Sequence, residues 1–131
     1  NLQPLISTTD RDKIFLDKIN AIIERNMGDA EFKLDTYAPA LGLGRTTFYS
    51  KLKSIVGCSP NEYVRLLRMK RAAELLITSD INISEAGYQV GINDPFYFSK
   101  CFKNTFGKSP SQYRKSAGKT DMEENTGEEN Q

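Results

Sequence analysis

An all-α fold of seven helices is predicted by three observations. Apolar residues recur at three- and four-residue spacing in segment after segment. Helix-start residues stand before several of these segments and Gly after most of them. No alternating strand pattern of useful length intervenes. The 131 residues, 38% hydrophobic and 27% charged, suit one compact soluble domain or two very small ones. With no run of about 18 apolar residues and no charged-apolar-small leader, neither a membrane contact nor secretion is expected, and the chain is placed in the cytoplasm. It opens on Asn rather than Met, which suggests a fragment or a processed product.

Residues 1–11 contain a Pro and small polar residues and read as a linker or tail. The first helix is expected from about Asp12 to Met27, with Phe15, Ile19, Ile22 and Ile23 on one face and Gly28-Asp29 closing it. The second, shorter, covers about Leu34 to Leu41 and stops at Gly42. Pro39 sits awkwardly inside it, because it removes a backbone donor and disfavours the helical conformation at Ala38. The third, about Arg45 to Val56, carries the stripe Phe48, Leu52, Ile55 and Val56 and ends at Gly57. Ser59-Pro60-Asn61-Glu62 then supplies a cap, a first-turn Pro and a capping-box Glu. The long helix it opens reaches about Thr78, with Tyr63, Leu67, Met69, Ala72, Leu75 and Leu76 as its apolar side. Asn82 with Glu85 opens a short helix to Val90, stopped by Gly91. Asp94-Pro95 starts the sixth, through Phe106 to Gly107, and Ser109-Pro110-Ser111-Gln112 starts the seventh, to about Lys115.

Composition removes most catalytic chemistry. The sequence has no His, so neither a Ser-His-Asp nor a Cys-His pair exists. Its two cysteines, Cys58 and Cys101, cannot form a four-thiolate metal site or a disulfide framework, and both are expected reduced. No enzyme activity, metal or cofactor is expected. The net charge of +1 hides a division. Residues 45–119 hold 13 bases and 5 acids, residues 1–44 hold 5 bases and 7 acids, and residues 120–131 hold five acids and no base. A localised basic excess is the footprint of a polyanion partner, and the acidic stretch reads as a disordered tail.

The sequence also repeats itself. Residues 48–63, FYSKLKSIVGCSPNEY, align without a gap on 98–113, FSKCFKNTFGKSPSQY, and six of sixteen positions are identical. They are Phe48/Phe98, Lys53/Lys103, Gly57/Gly107, Ser59/Ser109, Pro60/Pro110 and Tyr63/Tyr113. Upstream, Ala38 lies four before Gly42 as Gly87 lies four before Gly91. A small residue four before a turn Gly lets two helices cross closely, as a helix-turn-helix requires. The predicted organisation is therefore two helix-turn-helix subdomains, residues 12–58 and 80–117, joined by a linker helix over residues 59–79, with the acidic tail at 118–131. The 19 residues from Pro60 to Thr78 span roughly 28 Å as a helix, against roughly 34 Å per turn of B-form DNA. A connector of that length suits two recognition helices in successive major-groove segments, and its Arg65, Arg68, Lys70 and Arg71 extend the basic character.

The run ISEAGYQVGINDPFYFSKCFKNTFGKSPSQYR (83–114) closely resembles the signature of AraC-type transcription regulators. The run LGLGRTTFYSKLKSIVGCSPNEYVRLLRMKRAAELL (41–76) resembles that family's first helix-turn-helix and linker helix. The match covers about residues 12–116 and is most like output domains of hybrid two-component sensor-regulators, which follow histidine kinase and receiver modules. The resemblance implies double-stranded DNA as partner, with RNA polymerase and the parent's kinase and receiver modules as further partners. It puts base reading on Thr46, Tyr49 and Ser50, flanked by Arg45, and on Phe96, Ser99 and Lys100, with Lys53 and Lys103 against phosphates. Ser and Thr can donate or accept, Arg and Lys favour guanine, and Phe suits a thymine methyl. For Tyr49 and Phe96, partial core burial is the competing reading. The chain departs from the family pattern at Pro39, at Gly44 where a capping Ser is common, and at Ala86 and Gly87. The function expected is a sequence-specific DNA-binding output domain; the alternative is a helical protein-interaction module contacting a receiver domain or RNA polymerase without DNA binding.

Overall fold

The computed structural model describes residues 9–118. Among these, six α-helices and two short 3-10 turns account for all regular structure: α1 (Asp10–Arg25), the turns Leu34–Tyr37 and Pro39–Leu41, α2 (Arg45–Val56), α3 (Pro60–Thr78), α4 (Ile83–Gln89), α5 (Pro95–Phe106) and α6 (Pro110–Ser116). The all-α architecture expected from periodicity is the one observed. The second expected helix is a pair of 3-10 turns meeting at Ala38, because Pro39 donates no N–H and the α-ladder cannot run through it. The acidic stretch 120–131 lies outside the described residues.

The chain divides into two compact units, residues 9–26 with 31–65 and residues 27–30 with 66–118 among those described. In the first, α1 starts two residues before Asp12, since the Thr9 hydroxyl accepts the Asp12 N–H at 3.1 Å and caps it. Asp10 and Asp12 in its first turn and Arg25 in its last complement the helix dipole. Its apolar stripe, Phe15, Ile19, Ile22 and Ile23, is buried, as are Phe48, Leu52 and Ile55 of α2. The Phe15 and Phe48 rings meet edge to face at 6.3 Å. Full burial of each such side chain contributes about 1.5–3 kcal/mol. Tyr63, at the start of α3, donates its hydroxyl to Asn20 Oδ1 at 2.6 Å, and burial pushes the phenol up to about 12. The Ser59 capping box is formed: its hydroxyl accepts the Glu62 N–H, and the Glu62 carboxylate accepts the Ser59 N–H.

The second unit packs Met69, Ala72 and Leu76 of α3 with Ile83, Ala86, Val90, Phe98 and Phe102, all buried. Leu67 and Leu75, expected on the apolar side, are only half-buried. Phe102, Phe106 and Tyr113 form a ring cluster with centroids 4.7–5.3 Å apart. Gly87 lies inside α4, where Gly costs about 1 kcal/mol relative to Ala. A methyl group there would stand 3.0 Å from Cγ of the buried Phe98 ring and 3.3 Å from the Ile92 carbonyl. Overpacking costs about 1–3 kcal/mol, which outweighs the propensity gain. Gly87→Ala is therefore expected to lower stability by about 1 kcal/mol in denaturant melts. A stabilised variant would show that Phe98 can move aside.

Candidate nucleic-acid interface

Two helix faces carry the expected contact residues. On α2, Phe48, Leu52 and Ile55 point into the core, which turns Arg45, Thr46, Tyr49, Ser50 and Lys53 outward, and all five are exposed. On α5, Phe98, Cys101 and Phe102 are buried, while Phe96, Lys100 and Lys103 are exposed and Ser99 is half-buried. Each set occupies one side of its own helix. An offset of 50 residues relates them: Thr46 to Phe96, Tyr49 to Ser99, Ser50 to Lys100 and Lys53 to Lys103. The helix is repeated, but the side chain differs at three of these four positions and is kept only at Lys53/Lys103. Tyr49 is 45% exposed and Phe96 73%, and neither is among the buried core residues.

The helix starts differ. Gly44 caps α2 with no side-chain bond, as expected where Ser is missing. On α5 the Asp94 carboxylate accepts the Phe96 N–H at 3.0 Å and the Tyr97 N–H at 3.4 Å. A cleft of about 520 Å³ runs beside the α2 face, lined by Asp35, Arg45, Tyr49, Ser50 and the Ser59–Asn61 turn among others. A smaller one of about 200 Å³ runs beside the α5 face, lined by Ser99, Lys100, Lys103 and the Ser109–Ser111 turn with Ile83. Asp35 Oδ2 lies 3.8 Å from Arg45 Nε, and Lys53 Nζ stands 5.9 Å from the Tyr49 ring centre. Glu62, at the start of α3, is held below the usual carboxylate range by the Ser59 hydrogen bonds.

One cation read from the sequence as part of the basic character belongs elsewhere. Arg68 is buried, at 7% exposure, and donates to the Gly91 carbonyl and to the Asp29 carbonyl, both at 2.9 Å. Burial pushes its guanidinium down from the usual arginine range. Arg65 and Lys70 are exposed, and Arg71 lies 3.6 Å from Glu74. Beside Phe96, Tyr97 is 46% exposed, off the Phe98–Phe102 stripe. Asp35 had no signal, since no spacing rule links it to Arg45. Among the described residues, no group of three metal-ligating side chains is assembled, and no helix is long and apolar enough to cross a membrane.

The helix-turn-helix domain model matches residues 37–116. The chain belongs to that helix-turn-helix family, and within it to the AraC-type DNA-binding domains of transcription regulators. It is 43% identical over 109 residues to a protein named histidine kinase P4 from Formosa agariphila, covering 83% of this chain and 8% of that protein. The C-terminal domain of the two-component response regulator yesN from Fusobacterium nucleatum matches with a TM-score of 0.69 and 31% identity, over 77% of this chain and 98% of that one. The DNA-binding domain of AdpA, a global transcriptional factor solved in complex with a target DNA, matches with a TM-score of 0.69 and 27% identity, over 77% of this chain and 89% of that one. The chain spans less than half the length of three curated relatives it matches, from 8% to 41%.

Proposed function

We propose that this domain reads a particular double-stranded DNA sequence in the cytoplasm as the output of a two-component parent, with its α2 and α5 faces in successive major-groove segments. Arg45, Thr46, Tyr49 and Ser50 on one helix, and Phe96, Ser99 and Lys100 on the other, meet base edges; Lys53 and Lys103 meet phosphates. The single observation that carries this reading is the repeat-related pair of faces, whose expected contact positions point away from the core while their apolar partners fill it. α3 runs from Pro60 to Thr78, the 19-residue span on which the sequence argument for successive major-groove segments rests, roughly 28 Å as a helix. The kinase and response-regulator names of the relatives support kinase and receiver modules as partners in the parent chain. RNA polymerase is the further partner of this reading.

Selection from random duplexes should yield a preferred sequence bound below micromolar Kd. With about six phosphates contacted, log K should fall with log salt at a slope near −5. Lys53→Ala or Lys103→Ala should weaken every duplex alike, whereas Ser50→Ala or Lys100→Ala should change the preferred sequence. Affinity that ignores salt, or a pool with no enriched sequence, would remove the reading.

A further inference from the structure

One carboxylate breaks the likeness between the two faces. Asp35 lines the cleft beside Arg45, Tyr49 and Ser50, whereas the cleft beside Lys100 and Lys103 has no acidic residue in its lining. With the copies aligned on Ala38 with Gly87 and Gly42 with Gly91, the counterpart of Asp35 is Ser84. The backbone fixes where Asp35 stands: it lies in the 3-10 turn Leu34–Tyr37, its carbonyl accepts the Ala38 N–H at 3.2 Å, and Leu34 and Ala38 are buried on either side. Arg45 is its opposite, the first residue of α2, with a side chain 71% exposed.

A negative charge on a surface that meets phosphates weakens binding to every duplex equally. What it offers in return is control of Arg45. A guanidinium with no partner at a groove edge takes the nearest phosphate, whatever the sequence. The Asp35 carboxylate lies beside the Nε edge of Arg45, and this leaves the two Nη groups for the O6 and N7 of guanine. We propose that Asp35 is a specificity-determining positioning residue, which holds Arg45 for a base edge and withholds it from phosphates. The proposal rests on the DNA-reading role of the α2 face.

The test measures binding of the 131-residue chain to its selected duplex and to a scrambled one across a salt series. Exposed ion pairs shift equilibria by no more than about fivefold, which sets the scale. Asp35→Asn should tighten binding to the scrambled duplex by about fivefold and to the selected duplex by less than about twofold, so that discrimination falls. The salt slope on the scrambled duplex should steepen by about one. Asp35→Ser, the residue of the second copy, should behave the same way. In an Arg45→Ala background, Asp35→Asn should tighten both duplexes by the same factor. Equal tightening with Arg45 present would reduce Asp35 to a repelling charge and overturn the proposal, as would no change. If the unaltered chain enriches no sequence, the DNA reading itself has failed, a result visible before any variant is made, and the proposal falls with it.

Discussion

Gly91→Ala is expected to cost about 5 kcal/mol, enough to unfold most of a domain of ordinary stability. Gly91 ends the α4 segment at φ +86, a conformation that costs an L-residue about 1–2 kcal/mol. A Cβ there would also collide with Arg68 Nη1 and lie 2.6 Å from the Met27 carbonyl. The collision displaces the guanidinium from the Gly91 carbonyl it now serves. A buried charge robbed of a partner costs about 3–5 kcal/mol. Gly42 provides the control. It holds the same place in the first copy, at φ +74, but a Cβ there meets nothing within 4 Å. Gly42→Ala should therefore cost only about 1–2 kcal/mol in the same guanidinium chloride melts. Adding Arg68→Met to Gly91→Ala should give a double variant less damaged than the two single effects predict, by more than about 1 kcal/mol. Equal losses at Gly42 and Gly91 would mean that only the backbone conformation matters.

The contrast between these two glycines marks where sequence reading stops. Each was legible as a turn glycine, because a helix stop is written in neighbouring residues. The Arg68 contact was not, because its acceptors are backbone carbonyls 23 and 39 residues away, and a carbonyl has no sequence signature. Arg68 is three residues from Arg65 and from Arg71, so in the sequence it reads as part of one basic run. The repeat over 48–63 and 98–113 is legible, since caps, turn glycines and core aromatics recur there at a constant offset of 50. Pro39 announced a defect in the second helix, but the retreat to 3-10 turns is a choice the local packing makes. The proposed base-reading faces come through the family resemblance. Their outward orientation follows from the Phe48–Leu52 and Phe98–Phe102 stripes, which the sequence shows directly. The place of Asp35 beside Arg45 depends on how the turn at 34–37 folds back on α2, and no periodicity encodes that.

Arg114→Met is expected to cost about 3–4 kcal/mol while leaving the salt dependence of DNA binding untouched. Arg114 is the last residue of the family-like run and is basic, so in a DNA-binding domain it invites assignment to a phosphate. Its surroundings say otherwise: it is 1% exposed, at the heart of the second unit. Its Nε donates to the Leu76 carbonyl at 2.8 Å, and one Nη donates to the carbonyls of Ser79 and Ile81, at 3.4 and 2.5 Å. These acceptors lie at the C-terminal end of α3 and just beyond it, where helical carbonyls run out of N–H partners. A planar cation against that negative end satisfies carbonyls and the helix dipole together. Met is of similar volume and removes the buried charge, but it withdraws the hydrogen bonds that Arg114 donates to three carbonyls. Arg114→Lys keeps the charge without the fork and should lose about 2 kcal/mol. Circular dichroism melts measure both losses. A phosphate contact would instead leave the melts almost unchanged and make the salt slope shallower by about 0.9. That pattern would return Arg114 to the interface, whereas the expected one makes it the clamp that closes the end of α3.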